Sequence, residues 1–411
     1  MATSHPVPVR LDPSSRGLHR QSAQLREQGP AVLVELPGGV PAWSVTRYHL
    51  LRNLLGDPRI AANPKHWQIL ADGGLPADWP LAEFVLPPSM SSTDGAAHRR
   101  LRGLATRALT PRRVAELRPV VERRVSEYLD QMESTLEEAD SVDLISQFAW
   151  PLPVAINCDL FDFPVGRRAE MLRLSLGSAN EFEPEVRQKN GRALYEMLVS
   201  FLAGRRADAD RNPGDDVIGA LLTAATPEGE VLTDTEILGV LVAFLGAGTS
   251  VARLITNTVR SLLTHPEQRD LVQSGQLSWS AAIEETLRWD APVGYLPLRF
   301  AVEDIVLDEQ VTIRKGDAIV LSWAVVGRDS DAYGPDAGEF KISRQPSPHL
   351  TFGYGVHFCI GARLARLQAE IAIPALFSRF PRLRAAVDLD DLEAIPSIMG
   401  NGIQTLPIAK A

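Results

Sequence analysis

The chain is poor in cysteine, with 2 in 411 residues, Cys158 and Cys359. Two thiols cannot build a disulfide framework or a Cys-rich zinc module, and so low a count fits a reducing compartment. Aromatic residues are also sparse, at 6%, and are spread without an identifiable cage. Positive charge is in deficit: the formal net charge is −9, so nucleic-acid binding has no electrostatic support. Long unbroken apolar runs are missing, since no stretch reaches the ~18–20 consecutive apolar residues of a membrane span. The first residues, Met1 to Arg10, lack the apolar core of a signal peptide. These absences predict a soluble, cytoplasmic protein with neither membrane nor nucleic acid as partner. What is present, 45% hydrophobic and 23% charged residues, is ample for a large core. There is no internal repeat or low-complexity linker. The sequence therefore reads as one domain over residues 1–411, with roughly the first 25 residues a loosely ordered segment.

The most informative stretch is Phe352-Gly353-Tyr354-Gly355-Val356-His357-Phe358-Cys359-Ile360-Gly361. It runs into Ala362-Arg363-Leu364-Ala365-Arg366-Leu367-Gln368-Ala369-Glu370, a helical pattern. Glycines there let the backbone turn tightly and approach a flat ligand with no Cβ in the way. Backbone N–H groups at a helix start stabilise a thiolate. With no Cys or His at ligand spacing beside it, Cys359 suits a single axial bond to iron better than a tetrahedral zinc site. Cys158 lies in the apolar run Leu152 to Leu160 and reads as core packing.

The ordered pattern Phe-Gly-x-Gly-x-His-x-Cys-x-Gly resembles the cysteine-ligand loop of the cytochrome P-450 family, and further matches follow in family order from about residue 30 to 408. The resemblance implies a mainly helical fold with a small β-rich part. It implies haem b between a long central helix and the Cys loop, with Cys359 as the axial thiolate and metal ligand. Phe352, Gly353 and Gly361 would be further haem contacts on that loop. It looks like the bacterial type, a monomer reduced by a ferredoxin and its reductase.

Along the chain, Ala31 to Glu35 and Ala42 to Val45 read as strands joined by Leu36-Pro37-Gly38-Gly39. Thr46 to Leu55 and most of the region from Arg112 to Phe201 read as helices. Residues Pro64 to Met90 form an irregular loop, a length that is often functional. In the resembled family this segment roofs the substrate cavity, which makes Trp67, Gln68, Leu86, Ser89 and Met90 candidates for substrate contact. His98 and Arg102 are four apart and share a helix face. The resemblance assigns them to haem propionates, along with Arg299 and His357. Arg99, Arg100, Arg107, Arg112 and Arg113 add a basic patch that could dock an acidic electron donor. The resemblance also places a mobile lid over Leu172 to Asn190, with Leu176 and Asn180 toward substrate.

The long central helix is signalled by Thr233-Asp234-Thr235-Glu236, a capping box. The run Ile237 to Leu263 is nearly all apolar and is expected to be buried on most sides. Two glycines in Leu245-Gly246-Ala247-Gly248-Thr249 cost roughly 1 kcal/mol each against alanine. Close packing, a kink or room for a ligand must offset them. The resemblance puts the haem face and an oxygen groove here, with Gly246 against the cofactor, Val242 and Leu245 against substrate, and Thr249 in proton delivery. The family commonly has an acid immediately before that threonine. This chain has Gly248, which cannot relay a proton.

Glu285 and Arg288, at i and i+3, match the family's Glu-x-x-Arg pair, which anchors a third arginine; Arg344 is favoured over Arg328. Val293, Gly294 and Leu296 would face substrate as the chain passes the haem edge, and Ile398 and Met399 would reach back from a C-terminal hairpin. The activity implied is oxidation of a small hydrophobic or aromatic natural product with dioxygen, by oxygen insertion. The alternatives are oxidative C–C or C–N coupling of an aromatic substrate such as an indole-bearing cyclic dipeptide, compatible with Gly248, and a non-catalytic haem-binding sensor.

Overall fold

A computed structural model of the protein describes residues 7–180, 183–209, 214, 216–307, 311–344 and 348–410. Within the chain the backbone forms two compact units. Unit 1 comprises residues 1–95, 284–359 and 394–402, and unit 2 comprises 96–283, 360–393 and 403–411.

Unit 1 holds a six-stranded sheet. Its spatial order is Val9–Arg10, Ala31–Leu36, Val40–Val45, Ala318–Ser322, Tyr295–Ala301, Ile60–Ala61. The expected hairpin is present: Ala31 pairs with Val45 and Leu36 with Val40. Gly38 and Gly39 make its turn with φ of 84° and 76°, values that a side chain strongly disfavours. One side of the sheet carries a cluster that includes Val34, Leu36, Trp67, Trp79, Tyr295, Leu298 and Phe300.

The N-terminal segment departs from expectation. Val9 and Arg10 add a parallel strand to the sheet, and Leu18–Gln28 is a helix whose Leu18 and Leu25 are buried. Those apolar contacts hold the segment in unit 1. The helix expected over Thr46 to Leu55 starts later, at Tyr48. No local side chain caps it. Instead the carboxylate of Asp329 accepts from the Tyr48 N–H at 2.8 Å, a long-range cap that the local sequence does not announce. The segment from Pro64 to Met90 contains three short helical turns, Pro64–His66, Gln68–Ala71 and Ala82–Val85.

Unit 2 is helical, with a three-stranded sheet ordered Leu383–Ala385, Pro407–Lys410, Val142–Asp143. Its longest helix is Asp234–Thr264. The capping box forms as read: Thr233 Oγ1 accepts from the Glu236 N–H at 3.2 Å, and Glu236 Oε2 accepts from the Thr233 N–H at 2.8 Å. By length and hydropathy this helix would pass for a membrane span. The run-length criterion does not register it because Gly, Thr and Arg interrupt the apolar residues. It serves as a core helix, burying Leu241, Leu245, Val251, Leu254, Ile255 and Val259 among others. The helix Pro151–Leu160 packs on it within the same unit.

Candidate active site

In unit 1 the Cys loop closes on itself. The Cys359 N–H donates to Phe352 O at 2.8 Å, and a 3-10 turn spans Gly355–His357. Gly353 and Gly355 take φ of 75° and 73°. At Gly355 a Cβ would also stand 3.1 Å from Leu55 O, so two independent restraints call for glycine there. The result is an exposed Cys359 thiol at the end of a backbone-locked loop. Gly361, two residues on, is the N-cap of the helix Ala362–Arg379. The other sulphur, Cys158, is buried, and burial pushes its thiol up to about 11. Among the described residues no three His, Cys, Asp or Glu side chains converge as a metal cage. The loop therefore offers a metal one protein sulphur.

Arg299 and His357, both assigned by resemblance to propionates, lie in unit 1 with Asp94. Arg299 is only 8% exposed. Among the described residues its guanidinium donates to the neighbouring carbonyl of Leu298 at 2.9 Å and forms no ion pair within contact distance. Burial brings its pKa down to about 10, against the opposing field of Asp94. A buried guanidinium so placed is suited to an incoming carboxylate. His357 Nε2 is 3.7 Å from Asp94 Oδ1. Asp94 also accepts from the N–H groups of Ala62 and Asn63, at 2.9 and 2.8 Å. Burial raises the Asp94 pKa, but the His357 ring and those two N–H groups outweigh burial and bring it to about 2. Asp94 was absent from the sequence reading; its signal is an Asp directly before the helix Gly95–Ala108.

In unit 2, His98 is buried on the helix Gly95–Ala108, and Arg102 lies partly buried one turn later. The basic patch is smaller than its arginine count suggests. Arg100 pairs with Glu236 at 2.7 Å and Glu230 at 3.1 Å, and Arg112 pairs with Glu116 at 2.8 Å. Arg113 donates to Asp216 O. Arg99 and Arg107 are exposed and, among the described residues, form no ion pair.

The two glycines of the central helix have different surroundings. Gly246 is exposed, and a Cβ on it would meet nothing within 4 Å. Gly248 is buried, and its Cβ would touch Asn157 Nδ2 at 3.4 Å and Pro153 Cβ at 3.5 Å. A Cβ at the first would thus meet no protein atom, while one at the second would rest against the helix Pro151–Leu160 at ordinary contact distance. Thr249 Oγ1 donates to Gly246 O at 2.8 Å.

The residues expected to touch substrate divide by exposure. Val242 is 45% exposed and Leu176 36%, both in unit 2, and Leu296 is 38% exposed in unit 1. Leu86 and Met399 are partly buried against the cluster around Tyr295 and Phe300, and Met90 is partly buried. Ser89 engages the hydroxyls of Ser91 and Ser92. Val293 bridges to Gly400. Five others are placed less openly or turned elsewhere. Trp67, at 1% exposure, is core: it packs on Trp79 and Phe300 with ring centroids 5.3 and 5.4 Å apart. Leu245, at 4%, lies one residue from exposed Gly246, about 100° around the helix, on its buried side. Gly294 is covered by Leu18, whose Cδ2 would stand 2.9 Å from a Cβ there. Ile398 is buried in the same cluster that Met399 only borders. Gln68 is turned outward, bonding Asp72 at 2.8 Å. Asn180 ends the helix Arg168–Asn180, and its side chain lies outside the described residues.

Glu285 and Arg288 form a buried bidentate pair, with Nη2 to Oε1 at 2.7 Å and Nε to Oε2 at 2.8 Å. Arg288 also donates to Gly327 O and Ala337 O, both at 2.7 Å. The arginine that reaches Glu285 is Arg344, at 3.5 Å. Arg328 instead lies over the Trp289 ring, 4.1 Å from its centroid.

These residues fit a flat, carboxylate-bearing iron macrocycle better than a bare ion. One exposed sulphur is available for the metal, and a buried guanidinium is poised for a carboxylate. Comparison with known proteins agrees. Residues 279–398 match the family model described as Cytochrome P450. The chain is 39% identical over 406 residues to 2-hydroxy-5-methyl-1-naphthoate 7-hydroxylase of Streptomyces carzinostaticus, covering 98% of this chain and 97% of that protein. It is 36% identical to the cytochrome P450 monooxygenase PikC of Streptomyces venezuelae, covering 94% of this chain and 89% of PikC. The solved structure of CYP154C4 from a Streptomyces species, with testosterone bound, superposes with a TM-score of 0.92 at 38% identity, covering 99% of both chains. With this fold, this loop and relatives of nearly equal length, the chain belongs to the cytochrome P450 family of haem-thiolate monooxygenases.

Proposed function

We propose that the enzyme hydroxylates a small hydrophobic natural product, taking electrons from a ferredoxin and its reductase in the cytoplasm. The observation that carries this reading is the closed loop presenting Cys359. When bound, the haem would supply dioxygen chemistry and the oxidising power for C–H attack. Cys359 would be its sulphur ligand. Arg299 and His357 would bind its carboxylates, and the resemblance assigns His98 and Arg102 the same role. Thr249 keeps a hydroxyl at the open face beside Gly246 for proton delivery, and Val242, Leu296 and Met399 offer apolar surface to substrate. The relatives act on polycyclic and macrocyclic compounds by name, among them a naphthoate and 6-deoxyerythronolide B. That supports a bulky, largely apolar substrate of secondary metabolism. Exposed Arg99 and Arg107 are candidate contacts for an acidic ferredoxin.

The absence of an acid at Gly248 supports a second reading, oxidative coupling of an aromatic substrate without oxygen insertion. Incubation under labelled dioxygen separates the two. Hydroxylation puts one labelled oxygen atom in the product, whereas a dimeric or adduct product without label overturns it. The family's thiolate ligation is tested by the reduced carbon monoxide spectrum, which must show the long-wavelength Soret band.

A further inference from the structure

Val242, Gly246, Thr249 and Arg253 follow one another at spacings of four, three and four along the central helix, and so share one face. Val242 and Gly246 on that face are exposed. Arg253 is partly buried there, and its Nη1 donates to Thr249 Oγ1 at 3.3 Å. Among the described residues it forms no ion pair. Burial alone sets its pKa, lowering it to about 10, so it remains a cation near neutrality. A charge in a mostly apolar helix costs free energy unless it is partnered or used. Here its bonded partner is the hydroxyl that the proposed function places in proton delivery.

We propose that Arg253 is a positioning residue for Thr249, acting where the helix has Gly248 in place of an acid. Thr249 gives its proton to Gly246 O at 2.8 Å, and Arg253 occupies one lone pair of the same oxygen. The two bonds fix the hydroxyl rotamer. The adjacent positive charge polarises the Thr249 O–H and adds to the field on the open face. A guanidinium does not release its own proton near neutrality. Arg253 therefore acts by orientation and field, and protons arrive by water rather than from a neighbouring carboxylate. This inference rests on the reading of Thr249 in proton delivery.

The test compares the haem-loaded wild type with Arg253→Met, Arg253→Lys, Thr249→Ala and the Thr249→Ala/Arg253→Met double variant. The long-wavelength carbon monoxide band identifies the intact proteins, and Arg253→Gln replaces the Met variant if that one fails to load haem. The first readout is the infrared stretch of carbon monoxide on the reduced protein, which reports the local field without turnover. The second is hydrogen peroxide released per reducing equivalent consumed. Arg253→Met is expected to move the stretch to higher frequency and raise peroxide release severalfold, with Lys restoring most of both. Without the Thr249 hydroxyl, Arg253→Met is expected to add little. An unmoved stretch in Arg253→Met, or an equal shift with and without Thr249, overturns the role of Arg253. Unchanged peroxide release in Thr249→Ala overturns the reading of Thr249 itself, which the stretch measurement does not depend on.

Discussion

Asp94 Oδ1 lies 3.7 Å from His357 Nε2, and the same carboxylate sets the field at buried Arg299. One acid that the sequence reading passed over thus sits beside His357 and acts at a distance on Arg299, the two unit 1 side chains expected to meet propionates. The Asp94 pKa, near 2, lies below the ordinary carboxylate range, so folding favours its charged form. Its stabilisation is present above about pH 4 and is lost as pH falls toward 2. Asp94→Asn is expected to unfold more readily than wild type at pH 7, by about 1 kcal/mol once partial exposure is discounted. Denaturant unfolding at pH 7 and at pH 3 checks it, and the gap must narrow at the lower pH.

Gly246 and Gly248 invite the same substitution with different consequences. Gly246→Ala adds a methyl that meets no protein atom within 4 Å and gains up to ~1 kcal/mol of helix stability in the haem-free protein. The same methyl narrows the face that carries Thr249, so turnover is expected to fall about tenfold, or roughly 1.4 kcal/mol in the barrier. Gly248→Ala meets Asn157 and Pro153 at ordinary contact distance, so its effect on turnover is expected to be small. Thermal unfolding and the turnover of both variants decide the matter.

Glu285 and Arg288 are both nearly inaccessible. Glu285→Gln leaves the Arg288 guanidinium buried with carbonyl partners and no counter-charge, which is expected to cost about 3–5 kcal/mol. Arg344→Lys weakens the longer contact to Glu285 and the 2.7 Å bonds of Arg344 to Tyr333 O and to Asp336, but leaves Arg288 its counter-charge, and is expected to cost less than Glu285→Gln. Denaturant midpoints of the two variants measure the difference.

Cys359→Ala is expected to abolish the long-wavelength carbon monoxide band. Cys158→Ala is expected to keep it, because Cys158 packs inside the helix Pro151–Leu160. Loss of the band in Cys158→Ala with haem retained would contradict the assignment of the sulphur ligand.

Local features were legible in the sequence because they depend on residues a few positions apart. The Gly-x-Gly turn before Cys359 needs positive φ wherever it sits, the Thr233/Glu236 capping box is complete within four residues, and Glu285 meets Arg288 through helical periodicity. Tertiary structure decided what depends on distant chain. Trp67 is core because Trp79 and Phe300 cover it, Gly294 is sealed by Leu18, and the open face of the central helix runs through Val242 and Gly246 rather than Leu245. The choice of Arg344 over Arg328, the Asp329 cap on Tyr48 and the meeting of Asp94 with His357 are likewise long-range. An apolar pattern says that a face must be buried but not against what. Beyond helical spacing, a charged residue's partner is fixed only when packing brings distant segments within hydrogen-bond reach.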